Sequence, residues 1–214
     1  MKEKILISVL CGKERANWIN PELSVNLFNL ARDTRFDVAL CVVKDAKGYA
    51  VARNIAMRAA RDNGCDWLLS FDNDNFLPLQ SNVLDVIAEA GPGQDVIGLT
   101  SGVTATNGFG LFPSQEAMLG NHDGPFVEVA YIGTGVFAVR KTVWQKIPRG
   151  PWFHWPINET TEIQDACGGE DVEFCQRVRS LGLHVWTHQT LVTGHYKTMN
   201  CTDVVCTVAN LMKQ

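Results

Sequence analysis

Asp66-Trp67-Leu68-Leu69-Ser70-Phe71-Asp72-Asn73-Asp74-Asn75 is the stretch that decides the fold: an apolar run stops abruptly in two carboxylates spaced one residue apart. A short apolar run bounded by polar residues reads as a strand covered on both faces. In an open α/β sheet the carboxyl end of a strand borders the crevice where ligands bind, and hard cations prefer oxygen ligands of this kind. Asp72 and Asp74 are therefore candidate metal ligands. The plainer reading is a turn in which Asp and Asn cap the next helix or bond their own backbone. A calcium hand counted from Asp72 is excluded, because Phe76, Leu77 and Val83 occupy positions that must be a ligand, a glycine and a glutamate. The second acidic motif of a P-loop NTPase is excluded too, since no G-x-x-x-x-G-K-S/T run precedes it.

On the amino-terminal side, Lys4 to Leu10 is a β-branched strand broken at Cys11-Gly12, and Asn20-Pro21-Glu22 opens a helix with Leu23, Leu27, Leu30 and Ala31 at helical spacing. Asp37 to Val43 reads as a second strand. Ala50 to Arg61 reads as a helix with an apolar face at Val51, Ile55 and Ala59, ended by Asn63-Gly64. On the carboxyl side follow a helix over Leu79 to Ala90, the breaker Gly91-Pro92-Gly93 and a strand over Asp95 to Leu99. Strands and helices alternating through short connections predict an α/β fold: a Rossmann-like, mostly parallel central sheet with helices on both faces.

After Thr100 the pattern loosens. Ser101 to Gly124 is rich in Gly, Thr, Asn and Pro and reads as a long loop, which in a compact domain is usually functional or disordered. Strands are expected over Phe126 to Ile132 and Gly135 to Val139, and a short helix over Lys141 to Ile147. Then come an aromatic loop over Pro148 to Pro156, a helix over Gly169 to Leu181, and short strands at His184 to Trp186 and Thr190 to Thr193.

With 214 residues, 46% of them hydrophobic and 20% charged, the chain is expected to form one domain over 1–214 with a single sizeable core. A net charge of −4 gives no general attraction to phosphate backbones. There is no run of about 18 apolar residues, and Met1-Lys2-Glu3-Lys4 leads into too short an apolar core for a signal peptide, so a cytoplasmic protein without membrane contact is expected. The seven cysteines, Cys11, Cys41, Cys65, Cys167, Cys175, Cys201 and Cys206, form an odd set with no C-x-x-C pair and read as reduced structural thiols.

Further polar groups invite a chemical reading. Gly168-Gly169-Glu170-Asp171 stands directly before an amphipathic helix, where the helix dipole alone explains two acids. Two glycines that leave room for a ligand, and a position at a loop-helix junction, also suit Asp171 to general-base work. His195 follows a glycine at a strand end, where it would complete a coordination shell begun by Asp74; imidazole with carboxylates suits Mn2+ better than Ca2+. His184-x-x-x-His188 has zinc spacing only on a helix, and the segment looks extended. Arg53 reads as a solvated helix cation or, with Arg58 and Arg61, as a partner for a diphosphate. Gly133-Thr134-Gly135-Val136-Phe137-Ala138 fits a dinucleotide pattern by chance, because it leads into a strand; its glycines permit close backbone approach.

In order and spacing these pieces resemble the metal-dependent GT-A nucleotide-sugar glycosyltransferases, in particular the family-two type. The matched landmarks are Cys11-Gly12, Ala52-Arg53-Asn54, Asp72-Asn73-Asp74, Gly133-Thr134-Gly135 leading to Arg140, Glu170-Asp171 and Gly194-His195. The resemblance implies a nucleotide-binding half over about 1–100 and an acceptor half with the catalytic helix over about 101–214. It implies Mn2+ or Mg2+ and a nucleotide-sugar donor, a UDP-sugar first and a GDP-sugar second. Cys11, Arg53, Asp72, Asn73 and Asp74 would meet the donor, Asp72, Asp74 and His195 the metal. Asp171, with Glu170 beside it, would do the catalysis, with inversion at the anomeric carbon.

Trp152 and Trp155, in the aromatic loop, are candidates for the acceptor site, since aromatic faces stack on sugars and bases. The acceptor itself stays open among a saccharide, a protein, a small molecule and, in a phage-infected bacterium, a modified DNA base. Two other readings remain: a nucleotidyltransferase or sugar-nucleotide pyrophosphorylase of similar fold, for which Cys11-Gly12-Lys13-Glu14-Arg15 is a poor phosphate loop, and a non-catalytic binding module.

Overall fold

The computed structural model describes residues 2–12, 19–105, 108–112, 118–155, 157–158, 163–164 and 169–195. A 10-stranded sheet runs through it. Its amino-terminal strands are β1 (Lys4–Cys11), β2 (Asp37–Lys44), β3 (Trp67–Asp72), β4 (Asn75–Phe76) and β5 (Val96–Ala105). They are followed by β6 (Gly108–Phe112), β7 (Met118–Asp123), β8 (Phe126–Val129), β9 (Val136–Arg140) and β12 (Val185–His195), while β10 (Ile157–Asn158) and β11 (Ile163–Gln164) form a separate pair. The helices are α1 (Pro21–Ala31), α2 (Tyr49–Asp62), α3 (Val83–Glu89), α4 (Lys141–Lys146) and α5 (Glu170–Ser180).

The main path is β2-β1-β3-β9-β5-β12-β8-β7. Along it β2, β1, β3, β5, β12 and β7 point one way and only β9 and β8 the other, so the expected mostly parallel α/β sheet is present. Side chains of one strand alternate between two cores. In β1, Leu6 and Leu10 join the core under α2, α4 and α5, whereas Ile5, Ile7 and Val9 join the core under α1 and α3. In β3, Leu68 faces the first core and Trp67, Leu69 and Phe71 the second, which is why this strand reads as continuously apolar.

α2 departs from expectation in its orientation. Val51 and Ile55 are exposed, and the buried face carries Ala52, Ala56, Met57, Ala60 and the charged Arg53. The small alanines let the helix lie close on β1, β2 and β3, and Arg53 is turned inward by buried carboxylates. α3 begins at Val83, later than expected, because the Asn82 side chain accepts from the Leu84 amide at 3.0 Å and caps it there.

The largest correction concerns 101–124. Where a loop is expected, β5 runs on to Ala105, β6 pairs with it antiparallel, and β7 pairs with β8. Backbone pairing along an edge needs no alternation of apolar side chains, and β7 is mostly exposed. The two short strands expected near the carboxyl end are one strand, β12, with a register shift between His188 and Val192. There the His188 ring accepts from the Leu191 amide at 3.2 Å, which supports the bulge.

Candidate functional site

The carboxyl end of β3, the turn after it, the start of α2, residues 133–135, the start of α5 and the end of β12 enclose one cavity of about 280 Å³, lined by Arg53, Asp72, Asp74, Glu170, Asp171 and His195. Residues expected to act together from four separate segments of sequence thus meet. Tyr49, Asn75, Ser101, Gly133, Thr134 and Gly135 also line it.

Arg53 is 4% exposed. Its Nη1 donates to Glu170 Oε1, and its Nη2 lies 3.3 Å from Asp72 Oδ2 and 3.4 Å from the Thr134 carbonyl. The Tyr49 and Phe153 rings lie 5.3 and 6.0 Å from the guanidinium carbon. So the helix cation read from the sequence is a buried one. Arg61 serves elsewhere: Nη1 donates to the Pro148 carbonyl at 2.8 Å.

Asp72 Oδ1 is buried and makes no hydrogen bond among the described residues. Burial pushes its carboxyl up to about 6; Arg53 works against the rise and Asp74 adds to it. Asp74 Oδ1 accepts from Asn75 Nδ2 at 3.0 Å, and Asp74 Oδ2 lies 3.4 Å from His195 Nε2. That last approach follows from sheet register, since β12 pairs with β4 so that His195 stands opposite Asn75. Glycines make it possible. A Cβ on Gly194 would sit 2.2 Å from the Phe76 ring, and one on Gly135 would sit 2.7 Å from Asn75 Oδ1.

Asp171 opens α5 beside Glu170; its Oδ1 accepts from the Val172 amide at 2.9 Å, and Gly169 leaves it room. Glu170 itself is 6% exposed and taken up by Arg53.

Three residues expected at the site lie elsewhere. Cys11 packs its thiol in the core under α1 and α3, raised by burial. Asn73 donates its amide to the Leu10 carbonyl at 3.1 Å and serves the turn instead of lining the cavity. Trp152 is 1% exposed, with Nε1 donating to the Ile147 carbonyl at 2.9 Å, so it presents no face to an acceptor. A stacking face is left to Trp155, which is 41% exposed. The free thiols Cys11, Cys41, Cys65 and Cys175 are all raised by burial, and Cys175 reaches about 12. His184 pairs with Glu128 at 2.8 Å, and His188 lies 3.8 Å from Glu89.

Asn75, like Tyr49 and Ser101, lines the cavity without being marked out by the sequence pattern. It lies within the decisive stretch, yet its place at the cavity depends on β4 pairing with β12, for which two residues of sequence carry no signal.

No family model and no curated protein matches the sequence. Solved structures match in fold. The crystal structure of A197 from STIV is 17% identical, with 92% of this chain and 87% of that one covered and a TM-score of 0.58. GalNAc-T7, in a structure with UDP, GalNAc and Mn2+, is 11% identical with a TM-score of 0.53 over 92% of this chain. The fold is one that a glycosyltransferase uses. This chain spans 44% of that GalNAc-T7 chain. A CMP:2-keto-3-deoxy-manno-octonic acid synthetase complexed with CTP is 13% identical, covering 100% and 99%, at a TM-score of 0.47. Among the described residues no helix is long and apolar enough to cross a membrane.

Proposed function

We propose that this protein transfers a sugar from a nucleoside-diphosphate sugar, a UDP-sugar before a GDP-sugar, to an acceptor hydroxyl, with a divalent cation, Mn2+ or Mg2+, at Asp72, Asp74 and His195. The observation that carries this reading is the convergence of Arg53, Asp72, Asp74, Asp171 and His195 on one cavity. The fold shared with GalNAc-T7 supports it.

The residues present suit such a cation by chemistry. Carboxylate oxygens with one imidazole are the donors Mn2+ accepts, and the buried Asp72 Oδ1, which has no hydrogen-bond partner among the described residues, is an acceptor that a cation would satisfy. They are not preassembled: among the described residues no three His, Cys, Asp or Glu side chains form a ready metal cluster.

A cation held by Asp72, Asp74 and His195 would supply positive charge to offset that of a departing diphosphate. The rest falls to the chain's own groups. Asp74 is oriented by Asn75 and His195, and Arg53 adds a fixed positive charge on the same side. Asp171, at the mouth of α5, takes the proton from the attacking acceptor hydroxyl. With Asp171 as the one base on the acceptor side and no nucleophile assigned among the described residues, the reading predicts inversion, which NMR of the first-formed product checks. Trp155 is the proposed stacking face for the acceptor.

The test is thermal melting with UDP, GDP and their sugars, with and without Mn2+, followed by an assay of diphosphate release. Metal-dependent stabilisation and release of nucleoside diphosphate are expected. Binding without release points to a binding module, and pyrophosphate release from a nucleoside triphosphate points to a nucleotidyltransferase; either result overturns the proposal. Asp74→Ala is expected to lose metal-dependent nucleotide binding. Asp171→Asn is expected to keep binding and lose turnover by about 10²- to 10⁴-fold.

A further inference from the structure

The cavity gathers four carboxylates, Asp72, Asp74, Glu170 and Asp171, around one buried guanidinium. Arg53 is a planar fork whose five donors are fixed relative to one another, so the group that holds one arm sets the direction of the other. Glu170 holds Nη1. Nη2 is then left between two acceptors, Asp72 Oδ2 at 3.3 Å and the Thr134 carbonyl at 3.4 Å, both long for a bond from a cation. Tyr49 on one side and Phe153 within the loop that packs on α2 limit how far the guanidinium can turn. The result is an Asp72 that feels Arg53 without being committed to it.

We infer that Glu170 is a positioning residue for Arg53: by holding the guanidinium it keeps Asp72 available to a divalent cation. This rests on the reading of the cavity as a cation and diphosphate site. Glu170 touches no reacting atom in this account, which separates its role from that of Asp171. With Glu170 uncharged, the guanidinium closes on Asp72, the nearest remaining carboxylate, and a cation must displace it. With both charges of the pair removed, Asp72 has no internal cation to escape from.

Titration calorimetry with MnCl₂ alone tests this on the full chain, comparing wild type, Glu170→Gln and the double variant Arg53→Gln/Glu170→Gln. Glu170→Gln is expected to weaken Mn2+ binding by ~10- to 100-fold, the usual cost of losing a group that orients a metal ligand. The double variant is expected to recover most of that loss, which a merely structural role for Glu170 does not predict. If Glu170→Gln does not fold, Glu170→Asp keeps the charge and shortens the reach, and weaker binding is again expected. Mn2+ affinity unchanged in the folded single variant, or a double variant as weak as the single, overturns the inference and leaves the cavity reading standing. A wild-type protein that binds no Mn2+ overturns both.

Discussion

At Asp72 the sequence names the residue and burial sets its chemistry. The carboxyl is pushed up to about 6 from an ordinary 3.8, so the folded, metal-free protein takes up a proton that the unfolded chain releases. Stability from this group is therefore present below about pH 4 and lost as pH rises through about 6, a change on the order of 2–3 kcal/mol. A cation needs the ionised form, so Mn2+ should add more stability above that interval than below it. Melting in EDTA and in Mn2+ across pH 4.5 to 7.5, with Asp72→Asn as control, checks both signs; a metal-free profile identical in wild type and Asp72→Asn would show the assignment to be wrong. Arg53 makes the complementary point. Its spacing on a helix reads as solvated, and only carboxylates arriving from β3 and α5 turn it inward.

One asparagine at the start of an element ties two elements together. Asn20 caps α1 by accepting from the Leu23 amide at 2.6 Å, and its Nδ2 donates to the Asn73 and Asn75 carbonyls, 3.1 Å each. The cap is legible in Asn20-Pro21-Glu22. The reach to the turn between Asp72 and Asp74 is not, because it spans 53 and 55 residues of sequence. Asn20→Ala is expected to cost about 2–3 kcal/mol, a cap of ~1 plus the penalty for buried carbonyls left unbonded. Urea denaturation measures the loss, and Mn2+-dependent nucleotide binding should weaken with it, since the same turn carries both aspartates. A loss of no more than a lone cap, with binding unchanged, would mean the tie is incidental. Elements built from backbone pairing were the poorly legible ones: β6, β7 and the extension of β5 fall in a Gly- and Thr-rich stretch whose side chains show no alternation.

At the scale of the whole molecule the two halves interleave. β9 comes from the second half of the chain yet lies between β3 and β5 of the first, antiparallel to both. It carries Phe137 and Val139 into one core and Val136 and Ala138 into the other. A fragment ending at residue 100 would leave β3 and β5 without that strand and both cores open, so we expect it to show no cooperative melting transition by circular dichroism, whereas the full chain melts cooperatively; a cooperative transition in the fragment would refute the interdependence. The sequence by itself determined the alternation of strands and helices, the apolar strand that ends at Asp72, and the residue types suited to a cation and a base. Those depend on local pattern, on period and on breakers, which neighbouring residues encode. Only the tertiary structure decided that Arg53 is buried, that Trp152 is core and Trp155 is not, and that Asn75 orients Asp74. Each of those depends on strands and helices distant in sequence arriving at one place, and burial, which prices every charge there, exists only once they have.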